Sequence, residues 1–207
     1  GSGTAGKASL WSASGSNEVD GGVDVGTSGA SFGAAAGATL RMDGNVSGSG
    51  DITYSGDGVV VVASPNSFTG DVTVDTGATI RYSDAGNRFV DTVGVTVNAG
   101  GRYDIFGLSD TIGSLGGAGE VDLGNGNLTA GGTDVDTTFS GTMEGTGNFI
   151  KEGTGTMTFS GQNTFTGELE ITDGVVALGA DAEQGGDGGS AGLDEQVHVA
   201  QHRVVGI

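Results

Sequence analysis

Apolar and polar residues alternate over short stretches of this chain, and each stretch stops at glycine or asparagine. Within residues 141–178 the runs are 148–150, 156–159 and 168–171; Met157 and Phe159, then Leu169 and Ile171, take every second position. A period of two is the mark of a strand with one buried face. No window in this stretch repeats at helical spacing. Upstream, residues 59–62 are four consecutive valines, a strand by composition. Val93, Val95 and Val97 alternate, as do Tyr103 and Ile105, and Val19, Val23 and Val25 alternate more weakly.

The pattern has an earlier copy. Asn66-Ser67-Phe68-Thr69-Gly70 matches Asn163-Thr164-Phe165-Thr166-Gly167, 97 residues on. At that offset Gly44, Gly48, Gly50, Gly56, Gly58, Gly70 and Gly77 fall on Gly141, Gly145, Gly147, Gly153, Gly155, Gly167 and Gly174. Apolar positions follow, Val46 on Met143, Ile52 on Phe149, Val60 on Met157 and Val72 on Leu169 among them. A degenerate third copy begins at Leu115, with Gly117, Gly119, Gly124, Gly126 and Leu128 in the corresponding places.

Fixed glycines between short strands imply a stack of coils, each burying its apolar face against its neighbours. The glycines are expected at corners, where positive φ or close backbone approach excludes a Cβ. The expected fold is all-β, a single-stranded parallel β-helix (solenoid) of about seven coils rising ~4.8 Å each. At roughly 20–25 residues per coil, the offset is about four coils. Val60, Val62, Val72, Val74, Phe149, Met157, Phe159, Leu169 and Ile171 are expected inside. The expected division is an N-terminal capping segment over 1–30, with Trp11 as a plug on the first coil, the β-helix over 31–178, an acidic Gly-rich linker over 179–194 and a C-terminal strand over 195–207.

Gly145-Thr146-Gly147, Lys151, the run Gly153-Thr154-Gly155-Thr156-Met157-Thr158-Phe159-Ser160-Gly161, the run from Asn163 to Gly167, and Asp173-Gly174-Val175 together resemble the passenger-associated repeat of bacterial autotransporters. Phe165 replaces a usual Tyr, Met157 and Phe159 replace Leu, and in the earlier copy Tyr54 stands where Lys is usual. The clear match covers 141–178, with weaker copies back to about Leu40. The resemblance implies a right-handed β-helical stalk, extracellular or on the bacterial cell surface. Any outer-membrane barrel that anchors it is expected outside this chain. The repeat residues it singles out are Gly48, Gly50, Gly56, Gly58, Asn66, Phe68 and Gly70, and Gly145, Gly147, Gly153, Gly155, Asn163, Phe165 and Gly167.

Composition narrows the functional classes. There are 45 glycines in 207 residues and one proline, and the glycines are patterned rather than scattered. Seven basic against 26 acidic residues give a net charge of −19, a poor match to nucleic acid or to anionic membrane surfaces, both of which need a basic footprint. No nucleic-acid partner and no membrane insertion by this chain are expected. The absence of cysteine excludes disulfides and thiolate metal sites. No cofactor is expected beyond weak Ca²⁺ binding by the acidic surface. The tandem calcium pattern beginning at Gly116-Gly117-Ala118-Gly119 fails, because Val121 stands where Asp is required.

Chemistry of the catalytic kind is thin. Asp91 and Asp104 could be offered as an acid–base pair, but surface charge on corner loops is the favoured account of them, and nothing in the sequence sets their separation. Asn45-Val46-Ser47 and Asn127-Leu128-Thr129 are glycosylation sequons by pattern. His198 and His202 are four apart, which suits a metal only on a helix, and their Val-rich surroundings argue for a strand. The expected role is therefore a non-enzymatic passenger stalk acting in surface adhesion or matrix. The alternatives are a filament subunit assembled head to tail and a carbohydrate-active β-helix enzyme. Candidate partners are a second copy, end to end, and a glycan or host-surface receptor. Val197, Val199, Val204, Val205 and Ile207 form a candidate assembly strand. It either caps its own last coil or staples to another chain, and its partner is expected to lie away from the adjacent coil of its own run.

Overall fold

The structure, a computed structural model, describes residues 8–84, 86–179 and 199–200. Among them there is no helix. Strands of two to five residues follow one another round a repeating path. The first turn contains β1 (Ala8–Ser12), β2 (Ser16–Val19) and β3 (Val23–Asp24); the second β4 (Ala30–Ala34), β5 (Thr39–Met42) and β6 (Val46–Ser47). The third turn holds β7 (Ile52–Ser55) and β8 (Val59–Val62), the fourth β9 (Val72–Val74) and β10 (Thr79–Tyr82). The fifth has β11 (Gly94–Val97), β12 (Arg102–Asp104) and β13 (Asp110–Ile112); the sixth β14 (Ser114–Gly117), β15 (Glu120–Asp122) and β16 (Leu128–Ala130). The seventh has β17 (Thr137–Phe139), β18 (Thr142–Glu144) and β19 (Phe149–Lys151), the eighth β20 (Thr156–Phe159) and β21 (Leu169–Ile171). β22 (Val175–Leu178) opens a further turn, and β23 (Val199–Ala200) ends the described chain.

Each strand pairs in parallel with its counterparts one turn before and after, so the strands assemble into three walls. The first wall runs β1-β4-β7-β9-β11-β14-β17-β20-β22 without interruption, and its nine strands span eight turns. The second runs from β2 through β5, β8, β10, β12 and β15 to β18. The third is broken. β3 and β6 form one piece, β13, β16, β19, β21 and β23 another, and turns three and four close with loops instead of strands.

Register aligns like with like along the stack. On the first wall Phe32 sits over Tyr54 and Tyr54 over Val74, while Ile52 sits over Val72 and Val72 over Val95. On the second wall Leu40, Val60, Ile80, Tyr103, Val121 and Met143 form one inward column. Val121, the residue that breaks the calcium pattern, is thus a core residue. The expected inward residues are buried, except that Ile171, in the last complete turn, is only half-covered. Aromatic rings meet edge to face within this core, Phe159 against Phe139 and Phe149 at centroid distances of 6.3 and 5.5 Å.

Three expectations are corrected. First, residues 8–24 are not a separate cap: β1, β2 and β3 pair in register with β4, β5 and β6 as a full turn. Second, Trp11 is not a plug. Leu10 aligns with inward Phe32, so the period of two turns Trp11 to the outer face, where it is 42 % exposed and its indole lies on Gly33 and Gly56. Third, the offset of 97 residues is not a whole number of turns. Ile52 lies on the first wall and its counterpart Phe149 on the third, four turns and two further walls along. For the C-terminal strand, the pairing agrees with capping of its own last coil and not with a partner away from its own run. Val199 and Ala200 pair with Leu169 and Glu170 of the last third-wall strand of their own chain. Val197, Val204, Val205 and Ile207 fall outside the described residues, as do His198, His202 and residues 180–194.

The core assignment yields a stability test. Replacing Phe159, 2 % exposed, by Ala should cost roughly 3–5 kcal/mol. Thr158→Ala, on the outward row, should stay within about 0.5 kcal/mol. Denaturant midpoints of the two variants check this, and equal midpoints would show the inward assignment to be wrong.

Candidate functional site

The residues that recur 97 apart build the same local device twice. In the first copy the Asn66 side-chain carbonyl accepts a hydrogen bond from the Val46 backbone N–H at 2.8 Å, one turn below. The Val46 carbonyl in turn accepts from the N–H groups of Ser67 and Phe68, at 2.9 and 3.1 Å. In the second copy Asn163 accepts from Met143 N–H at 2.9 Å, and the Met143 carbonyl accepts from Thr164 and Phe165 at 2.8 and 3.1 Å. Thr69 and Thr166 donate to Gly48 and Gly145 at 3.0 and 2.9 Å.

The chemistry explains the residue types. Both loops leave the strand path, so a backbone N–H below loses its ladder carbonyl. Asparagine supplies a replacement carbonyl of the right reach and keeps an amide N–H₂ to donate. Asn66 uses it on the carbonyls of Ser64 and Arg88, 3.2 and 3.1 Å away, so one side chain ties three successive turns. Two residues on, the phenylalanine turns inward and fills the core that the missing strand would leave open; Phe68 and Phe165 are both buried.

Glycine completes the clamp. Gly145 has φ +114° and its counterpart Gly48 +121°, backbone that a side chain strains. Gly147 meets a different limit: a Cβ there would overlap the carbonyl oxygen of Gly126 in the turn below. Gly56 and Gly153 share the positive φ, while Gly50, Gly58, Gly70, Gly155 and Gly167 lie against backbone of the preceding turn as Gly147 does.

The passenger-associated-transport-repeat family matches residues 52–81 and 149–178, two windows 97 residues apart that place each clamp at the same point. The chain is an autotransporter passenger-type β-solenoid. The adhesin BmaC autotransporter of Brucella suis biovar 1 (strain 1330) is 34 % identical to it over 144 residues. That alignment takes in 67 % of this chain but 4 % of the adhesin's own length. No solved structure matches it.

The passenger solenoid uses four of its aspartates for further stitches that the sequence did not reveal. The side-chain oxygens of Asp51, Asp71, Asp134 and Asp136 accept the backbone N–H groups of Asp71, Gly94, Thr154 and Thr156, at 2.7–3.0 Å. Asn127 and Asn148 do the same for Asn148 and Glu168. Each bond leaves one corner and ends at or just before a strand start about 20 residues later. An ionised acceptor strengthens such a bond. Nothing in the alternation pattern separates these carboxylates from solvated ones, because the partner lies a full turn away.

The remaining charges are sorted by wall. Arg41, Arg81 and Arg102 face outward on the second wall. Arg41 pairs with Asp43 and Asp84, Arg81 with Asp104 at 2.7 Å, and Arg102 with Glu120, Asp122 and Glu144. Asp104 is therefore a buried ion-pair partner, while Asp91 is exposed; the structure does not make them an acid–base couple. Glu18, Asp20 and Asp43 bring carboxylate oxygens within 4.8 Å of one another on the outside, a grouping that could hold a cation. The neighbouring Asp43 carboxyl raises Glu18 above its ordinary pKa.

Lys151, part of the repeat motif, occupies an inward position between Ala130 and Ile171 and is buried. Its Nζ donates to the carbonyls of Glu152 and Gly153 at 2.6 and 2.7 Å. Loss of hydration pulls its pKa down, opposed by Asp173 and Asp134. The first copy has Tyr54 here, also buried, its phenol pushed up by desolvation. Tyr54 and Lys151 lie on different walls and answer different local needs.

The clamp is testable by itself. Asn163→Ala strands the Met143 N–H and should cost roughly 1–3 kcal/mol. Asn66→Ala should cost at least as much, since it breaks bonds to two turns. Thermal unfolding of both variants measures this. A transition unchanged in both would remove the clamp from the account of stability.

Proposed function

We propose that this passenger solenoid is a non-enzymatic structural segment of a surface adhesin, secreted and displayed outside the bacterial cell. The observation that carries the reading is the use made of the repeat. Its asparagines, phenylalanines and glycines all join one turn to the next, and none is held toward solvent for chemistry. Similarity to an adhesin far longer than this chain supports a modular stalk whose rigidity presents or spaces adhesive surface. The acidic exterior keeps such stalks soluble through mutual repulsion.

Beads coated with the folded chain should be retained on host-cell layers or mucin several-fold more than beads coated with heat-unfolded chain. Equal retention would overturn the adhesive role. Incubation with neutral and acidic polysaccharides should release no new reducing ends; their release would overturn the non-enzymatic role.

One continuous cluster of hydrophobic side chains runs through the turns, so folding should not depend on a bound cation. Far-UV circular dichroism in excess chelator is expected to match that in calcium. Collapse of the β signal on chelation would make the Glu18, Asp20 and Asp43 grouping, or another acidic group, a folding determinant.

A further inference from the structure

The break in the third wall leaves an interior unlike the rest of the stack. In turn four the path closes through residues 86–93, a loop rather than a strand. Phe89 plugs the core there, 5.5–5.6 Å from the rings of Phe68 and Tyr82 and stacked at 6.2 Å on Tyr103. One turn on, the wall resumes at β13, and its first residue is Asp110. That carboxylate heads an inward column whose next members are Leu128, Phe149 and Leu169. It is 4 % exposed.

The groups around Asp110 come from every element that closes on it. From the second wall, Tyr82 and Tyr103 both direct their hydroxyls at its Oδ2, and the two hydroxyls lie 2.7 Å apart. From its own strand, Thr111 N–H donates to Oδ1 at 3.0 Å. From the loop come the Phe89 N–H and the charge of Arg88. Arg88 is buried, donates to the Ser83 carbonyl and leaves Nε without a partner among the described residues. Asp84, outside, exerts the strongest opposite charge on it, and Asp84 is committed to Arg41. Leu128, the next residue in the column, is apolar. Asp110 therefore sits over hydrocarbon, hydrogen-bonded through its side chain to phenols and not to the Arg88 guanidinium, whose charge reaches it without an ion pair among the described residues.

Among the described residues, the loop that covers Asp110 makes fewer cross-turn bonds than the walls beside it. Asn87 N–H donates to Ser109 at 2.7 Å, the Arg88 carbonyl accepts from the backbone and side chain of Asn66, and the Val93 carbonyl accepts from Gly113 at 2.8 Å. Asp84 and Asn87, at its entrance, have φ of 72° and 55°. Such a segment opens more readily than the walls beside it.

We propose that Asp110 is a proton-operated latch: when it carries a proton, residues 86–93 close on the core, and when it ionises, they loosen. A neutral carboxyl fits the apolar column and completes a three-hydroxyl chain with Tyr82 and Tyr103. An ionised one is better solvated when the loop lifts. Burial raises its pKa from 3.8 to about 6, offset in part by Tyr82, Thr111, Tyr103 and Phe89. For an acid shifted upward, the stabilisation is full below its ordinary pKa and is lost as pH rises through about 6. A surface protein meeting acidified surroundings would stiffen at this point of the stack.

Hydrogen exchange of the amides in residues 86–93, corrected for intrinsic rates, tests this. Protection should be about tenfold greater at pH 5 than at pH 7, with β20 unchanged as reference. Asp110→Asn, which is neutral and keeps the shape, should abolish the difference. Equal protection at both pH values, a difference that Asp110→Asn retains, or a parallel change in β20 would each overturn the latch. Carboxyl ¹³C titration of the parent chain gives a reading that needs no variant. A midpoint near 6 supports the proposal and one near 4 overturns it.

Discussion

Everything in this solenoid depends on backbone lying directly on backbone at the corners. Parallel strands of neighbouring turns stand ~4.8 Å apart, and the corners between them must keep the same spacing or the ladder shears. A side chain pointing along the stack has no room there. Gly141 rests on Gly119, Gly147 on Gly126 and Gly167 on Gly147, so glycine columns run from turn to turn. These columns explain why the described turns use glycine so heavily yet stack in register. The freedom that glycine adds to the unfolded chain is offset by ladder bonds worth about 0.5–1.5 kcal/mol each, multiplied along walls in which every turn supports the next.

The repeat that links this chain to autotransporter passengers describes a local path, not a turn. Its copies start on different walls, because a strand, a corner and a clamp obey the same rules wherever they fall round the coil. A three-walled coil of nearly equivalent faces tolerates that change of phase. What it requires is alternation within each strand and a corner after it. Where the path is too long for a strand, the asparagine clamp restores the ladder bond and the phenylalanine restores the core. Lys151 and Tyr54, equivalent in sequence and different in chemistry, mark where the equivalence of walls ends.

Charge serves the same architecture. The arginines on the second wall sit in ion pairs, and several aspartates elsewhere act as fixed acceptors for the next turn. The strong acidity of the composition is thus part scaffold and part solvent coat. Two charged residues depart from this and stand in inward columns. Lys151 is satisfied by carbonyls of its own corner. Asp110 is placed at the resumption of a broken wall, where phenols and a loop close over it.

The sequence by itself determined the strands, their inward faces, the corner glycines and the paired Asn–Phe–Gly motifs, because each is a rule of nearest neighbours. Alternation names the buried face, and a glycine excluded from Cβ space marks a corner. Only the tertiary structure decided the phase. It showed that residues 8–24 already form a turn, that Trp11 faces out, that the copies lie two walls out of step and that the third wall breaks. It also decided which aspartates bind backbone, and that Asp110 rather than Asp91 or Asp104 is the unusual carboxyl. The physical reason is one distance. Residues about 20 apart meet across the stack, and a one-residue change in any corner moves those meetings without altering the pattern inside a strand.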